Sequence, residues 1–232
     1  NANVDSNIST GAWRAPRSNF IAGAEQSFLD EVAEAAGKDP IDFRLELFDR
    51  AIKNPIGTDN DYDPKRYAGV LKLVRDKSNW GVKKEGIFRG VSTYFCFNTY
   101  VAQILDLEIV NGKHKIKKIW CAIDCGIIIN PEGAVNQAEG GIIDGIGHAM
   151  YSNLTFDKGS TIQKNFDTYS MIRLHQSPSE IEVFFVDNGI DPTGLGEPTL
   201  PPISGALANA IYKANGKRLY KQPFIQQDIK LG

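Results

Sequence analysis

After Gly86 the hydrophobic period of this chain changes from that of a helix to that of a strand, and this change constrains the fold more than any other feature. Val91, Thr93, Phe95 and Phe97 alternate with their neighbours, and so do Val101, Gln103, Leu105, Leu107 and Ile109. That is the two-residue period of side chains on a pleated strand. Asn111-Gly112 follows at once, a pair that readily takes the two left-handed conformations of a tight hairpin turn. A return strand is expected over residues 116–123, with a slip of phase near Lys117-Lys118.

The segment before this meander reads as helix. In 24–36, Phe28, Leu29, Val32, Ala33 and Ala36 fall at helical spacing, and Gly37 supplies the stop. Asp39-Pro40 and Asp63-Pro64 are two start signals, a capping carboxylate followed by a proline that needs no donor. Behind them run the apolar stripes Ile41, Leu45, Phe48 and Tyr67, Val70, Leu71, Val74. Residues 1–10 are polar and small, a loose lead-in. Past the meander, Asn130-Pro131 opens a helix expected to reach about residue 150. Strands are expected at 151–156 and 181–186. A final helix places Ile203, Ala206, Leu207, Ala210, Ile211 and Ala214 on one face. A mainly helical segment, 1–85, and a mixed strand and helix segment, 86–232, predict an α+β fold with a mixed sheet and packed helices.

Composition excludes several classes. Twenty-six Lys and Arg oppose 28 Asp and Glu, so no basic excess supports nucleic-acid binding. No apolar run approaches the roughly 20 residues of a membrane-crossing helix. Cys96, Cys121 and Cys125 form no CxxC pair, and His114, His148 and His175 lack metal-ligand spacing. Gly140 to Gly147 has glycines but lies inside a helical pattern, unlike a dinucleotide loop. The chain starts at Asn1 with no signal peptide, and is expected to be a piece of something longer.

Three places can carry chemistry. In the helix after Asn130, Ala134, Ala138, Gly141, Ile142 and Gly145 share one side, and Gln137, Asp144 and His148 form a polar ribbon at its edge. Interior glycine disfavours helix by about 1 kcal/mol against alanine, so Gly140, Gly141, Gly145 and Gly147 need a reason. Tight packing, with Gln137 bonded to a neighbouring loop, is one; a ligand lying over the glycine face and taking the Gln137 amide is the other. The second place is Glu197, confined between Gly196 and Pro198 ahead of the last helix. It either complements that helix's positive end or serves as a rigidly held general base. The third is Arg14 in Gly-Ala-Trp-Arg-Ala-Pro, either a fork able to grip a phosphate or carboxylate or a solvated or backbone-bonded surface residue.

Together, GAWRAP, AEQSFLDEVAEAAGKDPIDFRLELF, NQAEGGIIDGIGHAM and GLGEPTLPPISGALANAI resemble the C-terminal part of a molybdenum hydroxylase large subunit. This is the family of xanthine oxidase and aldehyde oxidase, and the nearer likeness is to isoquinoline 1-oxidoreductase beta subunits and molybdopterin-binding aldehyde dehydrogenase subunits. The likeness covers nearly the whole chain in several separated motifs. It departs at the first, which is richer in Phe and Gly in xanthine oxidase, where this chain has Trp13, Ala15, Pro16 and Arg17.

The resemblance implies a C-terminal molybdopterin-binding domain of the xanthine oxidase type, 1–232 being one half of a cofactor-binding subunit. It implies a molybdenum-pterin cofactor (molybdopterin or its cytosine dinucleotide) held through its dithiolene rather than by protein ligands. Glu197 matches the catalytic glutamate. Gln137, Arg14, Gly140 and Gly141 match positions near the cofactor. The implied reaction is oxidation of an N-heterocycle or aldehyde at an electron-poor carbon, with oxygen from water and electrons leaving through 2Fe–2S centres on a partner subunit. The N-terminal half of the same subunit is the other implied partner, and the chain alone is expected to lack cofactor and turnover. A non-catalytic assembly domain that kept the fold without the cofactor is the alternative. Convergence of Arg14, Gln137 and Glu197 on one cleft separates the two.

Overall fold

The structure, a computed structural model, describes residues 8–55 and 62–232. The lead-in read for 1–10 lies outside the described residues as far as residue 7. In chain order the elements are α1 (Ser18–Ala35), α2 (Pro40–Lys53), α3 (Pro64–Ser78), β1 (Phe88–Cys96), β2 (Thr99–Val110), β3 (Lys113–Asp124), α4 (Pro131–Tyr151), β4 (Phe156–Asp157), β5 (Ser160–Thr161), β6 (Glu180–Phe185) and α5 (Leu200–Asn215). The main sheet has the order β1-β2-β3-β6, antiparallel through β3 and parallel between β3 and β6. The fold is α+β with a mixed sheet, as expected.

Both faces of the sheet are buried, and the strand alternation decides which layer each residue enters. Val101, Leu105, Cys121 and Ile123 pack with Ile142, Ile146, Ile203 and Leu207 of α4 and α5. Their neighbours Tyr100, Ala102, Ile104 and Trp120 pack with Ile41, Tyr67, Leu71 and Val74 of α2 and α3. The expected phase slip is a bulge at Lys117: Asp106 pairs with Lys118, but Leu107 pairs with Ile116. Asp39, Asp63 and Asn130 cap α2, α3 and α4 through side-chain oxygens. Asn111 and Gly112 both take positive φ in the β2–β3 turn.

Three local expectations are corrected. The face that buries α1 is Asn19, Ala22, Gly23, Gln26, Ser27, Asp30 and Ala33, while Phe28 is 62% exposed. The reason is close contact with α5. A Cβ at Gly23 would lie 2.5 Å from Ser204 Oγ, and one at Gly205 would lie 2.7 Å from Gln26 Cβ, so large side chains are excluded from the seam. The polar groups there are used: Gln26 Oε1 accepts from Arg44 Nε and from the Thr93 amide at 3.2 Å each, closing the β1 edge, and Asp30 pairs with Arg218 at 2.8 Å. Second, residues 151–156 are not a strand. Tyr151 extends the buried face of α4, and only Phe156–Asp157 pairs, with Ser160–Thr161; short apolar runs do not distinguish a helix end from a strand. Third, Phe97 leaves the strand, forming with Asn98 a tight β1–β2 turn at φ 54° and 58°.

Candidate active site

The final helix is seated by the sheet. A Cβ at Gly90 would lie 2.0 Å from the Ala206 carbonyl oxygen, so α5 meets β1 backbone to backbone. Gln103, fully buried on β2, donates to the Thr199 carbonyl at 2.8 Å, and Thr199 Oγ1 donates to the Ala138 carbonyl at 3.1 Å. The start of α5 is thereby joined to both sheet and α4. Thr199 fills the space left at Gly141, where a Cβ would lie 2.2 Å from its Oγ1. Gly145 faces Ile203 and the Leu200 carbonyl, with a Cβ 2.4 and 2.6 Å away, and Gly147 faces Ile172 at 3.0 Å. Tight packing accounts for these three glycines. Gly140 differs: it is exposed, and a Cβ there would meet nothing within 4 Å.

The loop before α5 is lashed from two sides. On one, Thr193 N–H donates to the Cys125 carbonyl at 2.9 Å, Gly194 N–H to the Phe97 carbonyl at 3.1 Å, and Thr99 Oγ1 to the Gly194 carbonyl at 2.5 Å. On the other, the Gly196 carbonyl accepts from Arg14 Nε at 2.9 Å, Arg14 Nη2 at 2.6 Å and Gln137 Nε2 at 2.8 Å. Arg14 Nη1 also lies 3.3 Å from Asp144 Oδ2. Glu197, half-buried, follows immediately, and its carbonyl takes the Leu200 N–H at 3.0 Å in the first turn of α5. Its charge is felt at Cys96, whose thiol is pushed up to about 12, first by burial and lastly by Glu197.

Arg14 and Gln137, distant in sequence, therefore meet at the carbonyl of Gly196, the residue before Glu197. Gln137 makes the loop contact that packing alone predicts, and Arg14 finds both a carboxylate and a carbonyl. Gly141, expected to face a cofactor, gives its space to Thr199 and Arg14 instead; Gly140 keeps an open flank beside Gln137. The meeting point itself, a backbone carbonyl, was invisible in side-chain patterns. Side-chain patterns also gave no sign of the tilted contact between the Trp13 and His148 rings, centroids 4.1 Å apart. Both His148 ring nitrogens are buried without a hydrogen-bond partner among the described residues. Burial pushes this imidazole below its usual range, with Asp144 opposing.

Among the described residues no group of three or more His, Cys, Asp or Glu side chains can hold a metal ion, and no helix is long and apolar enough to cross a membrane. Cys121 and Cys125 are buried and raised to about 12 and about 11, chiefly by desolvation, which makes them poor thiolates.

Comparison with known proteins bears on this arrangement. The sequence profile of a molybdopterin cofactor-binding domain matches residues 45–178, more than half of the chain. The chain is 29% identical to a membrane-bound aldehyde dehydrogenase of Gluconacetobacter polyoxogenes, named for pyrroloquinoline quinone, over 96% of this chain and 30% of that protein. It is 27% identical to isoquinoline 1-oxidoreductase subunit beta of Brevundimonas diminuta, over 86% of this chain and 25% of that one. The chain thus spans less than a third of the length of these curated relatives. The aldehyde oxidoreductase of Desulfovibrio desulfuricans has the same fold over 90% of this chain and 40% of its own, with a TM-score of 0.66 at 14% identity.

Proposed function

Because this chain belongs to the molybdopterin cofactor-binding domain family, we propose that it forms one wall of a molybdenum-pterin site in a larger oxidoreductase subunit. The substrate class is an aldehyde or an electron-poor N-heterocycle, in keeping with the names of the relatives. The observation that carries the reading is the convergence of Arg14 and Gln137 on the carbonyl of Gly196, the residue before Glu197.

The residues present suit such a group. No side-chain cluster among the described residues could itself hold a metal, in keeping with a metal held by a pterin, as the family resemblance implies. Gly140 leaves an open helix flank one turn from Gln137, where no side chain would obstruct a bulky group. Gln137 and Gly140 would border the pterin side of such a group, which would supply two-electron redox chemistry when bound. The chain's part is positional and acid–base. The Glu197 carboxylate removes the proton from the attacking oxygen, which derives from water, while Gly196 and Pro198 and the two-sided lashing of the loop limit the conformations available to it. A partner subunit with 2Fe–2S centres would take up the electrons, and the rest of the same polypeptide would close the site.

Replacing Glu197 by Gln in the full subunit tests this. General-base removal lowers kcat on the order of 10²–10⁴-fold while molybdenum content stays at the unmutated level. Turnover at the original rate removes Glu197 from the chemistry. Quinone extraction alongside metal analysis separates molybdenum-pterin from pyrroloquinoline quinone.

A further inference from the structure

The guanidinium of Arg14 has a geometry that cofactor contact does not require. Its Nε and Nη2 both donate to one carbonyl, that of Gly196, at 2.9 and 2.6 Å, and its remaining nitrogen turns to Asp144 at 3.3 Å. The fork is therefore directed at the backbone of the loop that carries Glu197. We infer that Arg14 is a positioning residue for Glu197, acting through the Gly196 carbonyl and oriented by Asp144. The inference deepens the general-base reading above and depends on it.

Several features of the chain serve this placement. The segment before α1 turns sharply, with Ala15 and Arg17 at φ 59° and 67° on either side of Pro16, a strained conformation for side-chain-bearing residues. The turn is secured by Ser18 N–H to the Pro16 carbonyl at 2.8 Å and Asn19 N–H to the Ala15 carbonyl at 2.9 Å. Asn19 Nδ2 donates to the Arg14 carbonyl at 3.0 Å, so the first turn of α1 fixes the backbone from which Arg14 extends. Room for the head group comes from Gly141, where a Cβ would lie 3.1 Å from Arg14 Nη2. Ala15 is fully buried beside it.

Arginine is suited to this task and lysine is not. A planar fork places two N–H groups on one oxygen and a third on a carboxylate at once, whereas an ammonium is a single point donor on a flexible stem. The Arg14 and Asp144 side chains are 24% and 41% exposed. Their ion pair is accordingly weak in itself, and Asp144 contributes direction more than strength. Gln137 supplies the third donor to Gly196 at 2.8 Å, so loss of Arg14 loosens the loop without detaching it.

The test uses the full-length, cofactor-loaded subunit carrying Arg14→Lys, Asp144→Ala or Asp144→Asn. Amide hydrogen exchange of residues 194–200 is read together with molybdenum content, kcat and KM. Arg14→Lys raises exchange in that segment and lowers kcat by on the order of tenfold to a hundredfold, as expected for a displaced reacting group. KM and molybdenum content stay unchanged. Asp144→Ala shifts exchange and kcat in the same directions by less, and Asp144→Asn, which keeps an acceptor oxygen, recovers most of the difference. Unchanged exchange in Arg14→Lys overturns the inference, and so does a fall in molybdenum content that matches the fall in activity, which makes Arg14 a cofactor ligand. If Arg14→Lys does not fold, the Asp144 pair decides by the same readings. Full turnover in Glu197→Gln instead defeats the general-base reading, whatever the exchange data show.

Discussion

Gly140 and Gly145 lie on the same helix but face different surroundings, and alanine at each gives opposite results. Gly140 is exposed, has no unusual φ, and a Cβ there meets nothing within 4 Å. Gly140→Ala therefore gains the ordinary helix-propensity difference, about 1 kcal/mol, and raises Tm by roughly 2–4 °C for a chain of this size. At Gly145 the added methyl lies 2.6 Å from the Leu200 carbonyl oxygen and 2.4 Å from Ile203 Cγ2. A backbone oxygen cannot rotate away, so overpacking costs about 1–3 kcal/mol or more. After subtraction of the same ~1 kcal/mol of propensity, Gly145→Ala is neutral at best and destabilising by about 2 kcal/mol or more at worst. Denaturant unfolding of this chain, or of the full subunit, measures both. The functional part of the prediction concerns Gly140 alone. If its bare flank receives the pterin, the stabilised Gly140→Ala subunit carries less molybdenum than the unmutated protein, by mass spectrometry of the metal. A Gly140→Ala protein that is more stable and fully loaded refutes the assignment of that flank.

Other outcomes follow from the same structure. Asp106, 4% exposed in its side chain, holds Arg89 at 2.7 Å and Lys84 at 2.9 Å; Asp106→Ala strands the buried Arg89 charge and lowers unfolding free energy by about 3–5 kcal/mol. His148 and His114 are both pushed below the usual histidine range, mainly by burial. The unfolded chain then binds more protons below about pH 6.5, so stability is complete at neutral pH and falls as pH drops through that value. His148→Phe, which keeps the ring against Trp13, flattens the pH dependence of the denaturation midpoint; an unchanged slope contradicts the assignment. The cysteines, buried and with raised thiols, react with a disulfide reagent only at the rate of unfolding, and fast native labelling contradicts their burial.

What was legible in the sequence was what local chemistry determines. Asp39-Pro40, Asp63-Pro64, Asn130-Pro131 and Asn111-Gly112 marked their boundaries because capping oxygens, a missing N–H and positive φ act within a few residues. The inward face of α3 was legible because apolar burial drives it; α5 was expected to bury one face, but it is buried all round from Leu200 to Ile211, because small and polar residues line its contacts with α1 and β1. The face of α1 was not legible, since its seam with α5 is built from glycine, serine and paired polar groups, and hydrophobic periodicity is silent about close approach. The site was half legible. Motifs nominated Arg14, Gln137 and Glu197, but no pattern of side chains indicates that a backbone carbonyl is the meeting point of the first two. Nor could spacing tell Gly141, which admits Thr199, from its open neighbour Gly140.

The account stands on the claim that the Glu197 loop and the flank of α4 at Gln137 and Gly140 border a molybdenum-pterin group. Anomalous diffraction at the molybdenum edge from crystals of the loaded full-length subunit locates the metal directly. A single strong peak is expected near Glu197 and Gln137, on the side of α4 that carries Gly140. A peak on another face of this fold, or loaded crystals in which Glu197 and Gln137 border no metal, contradicts it.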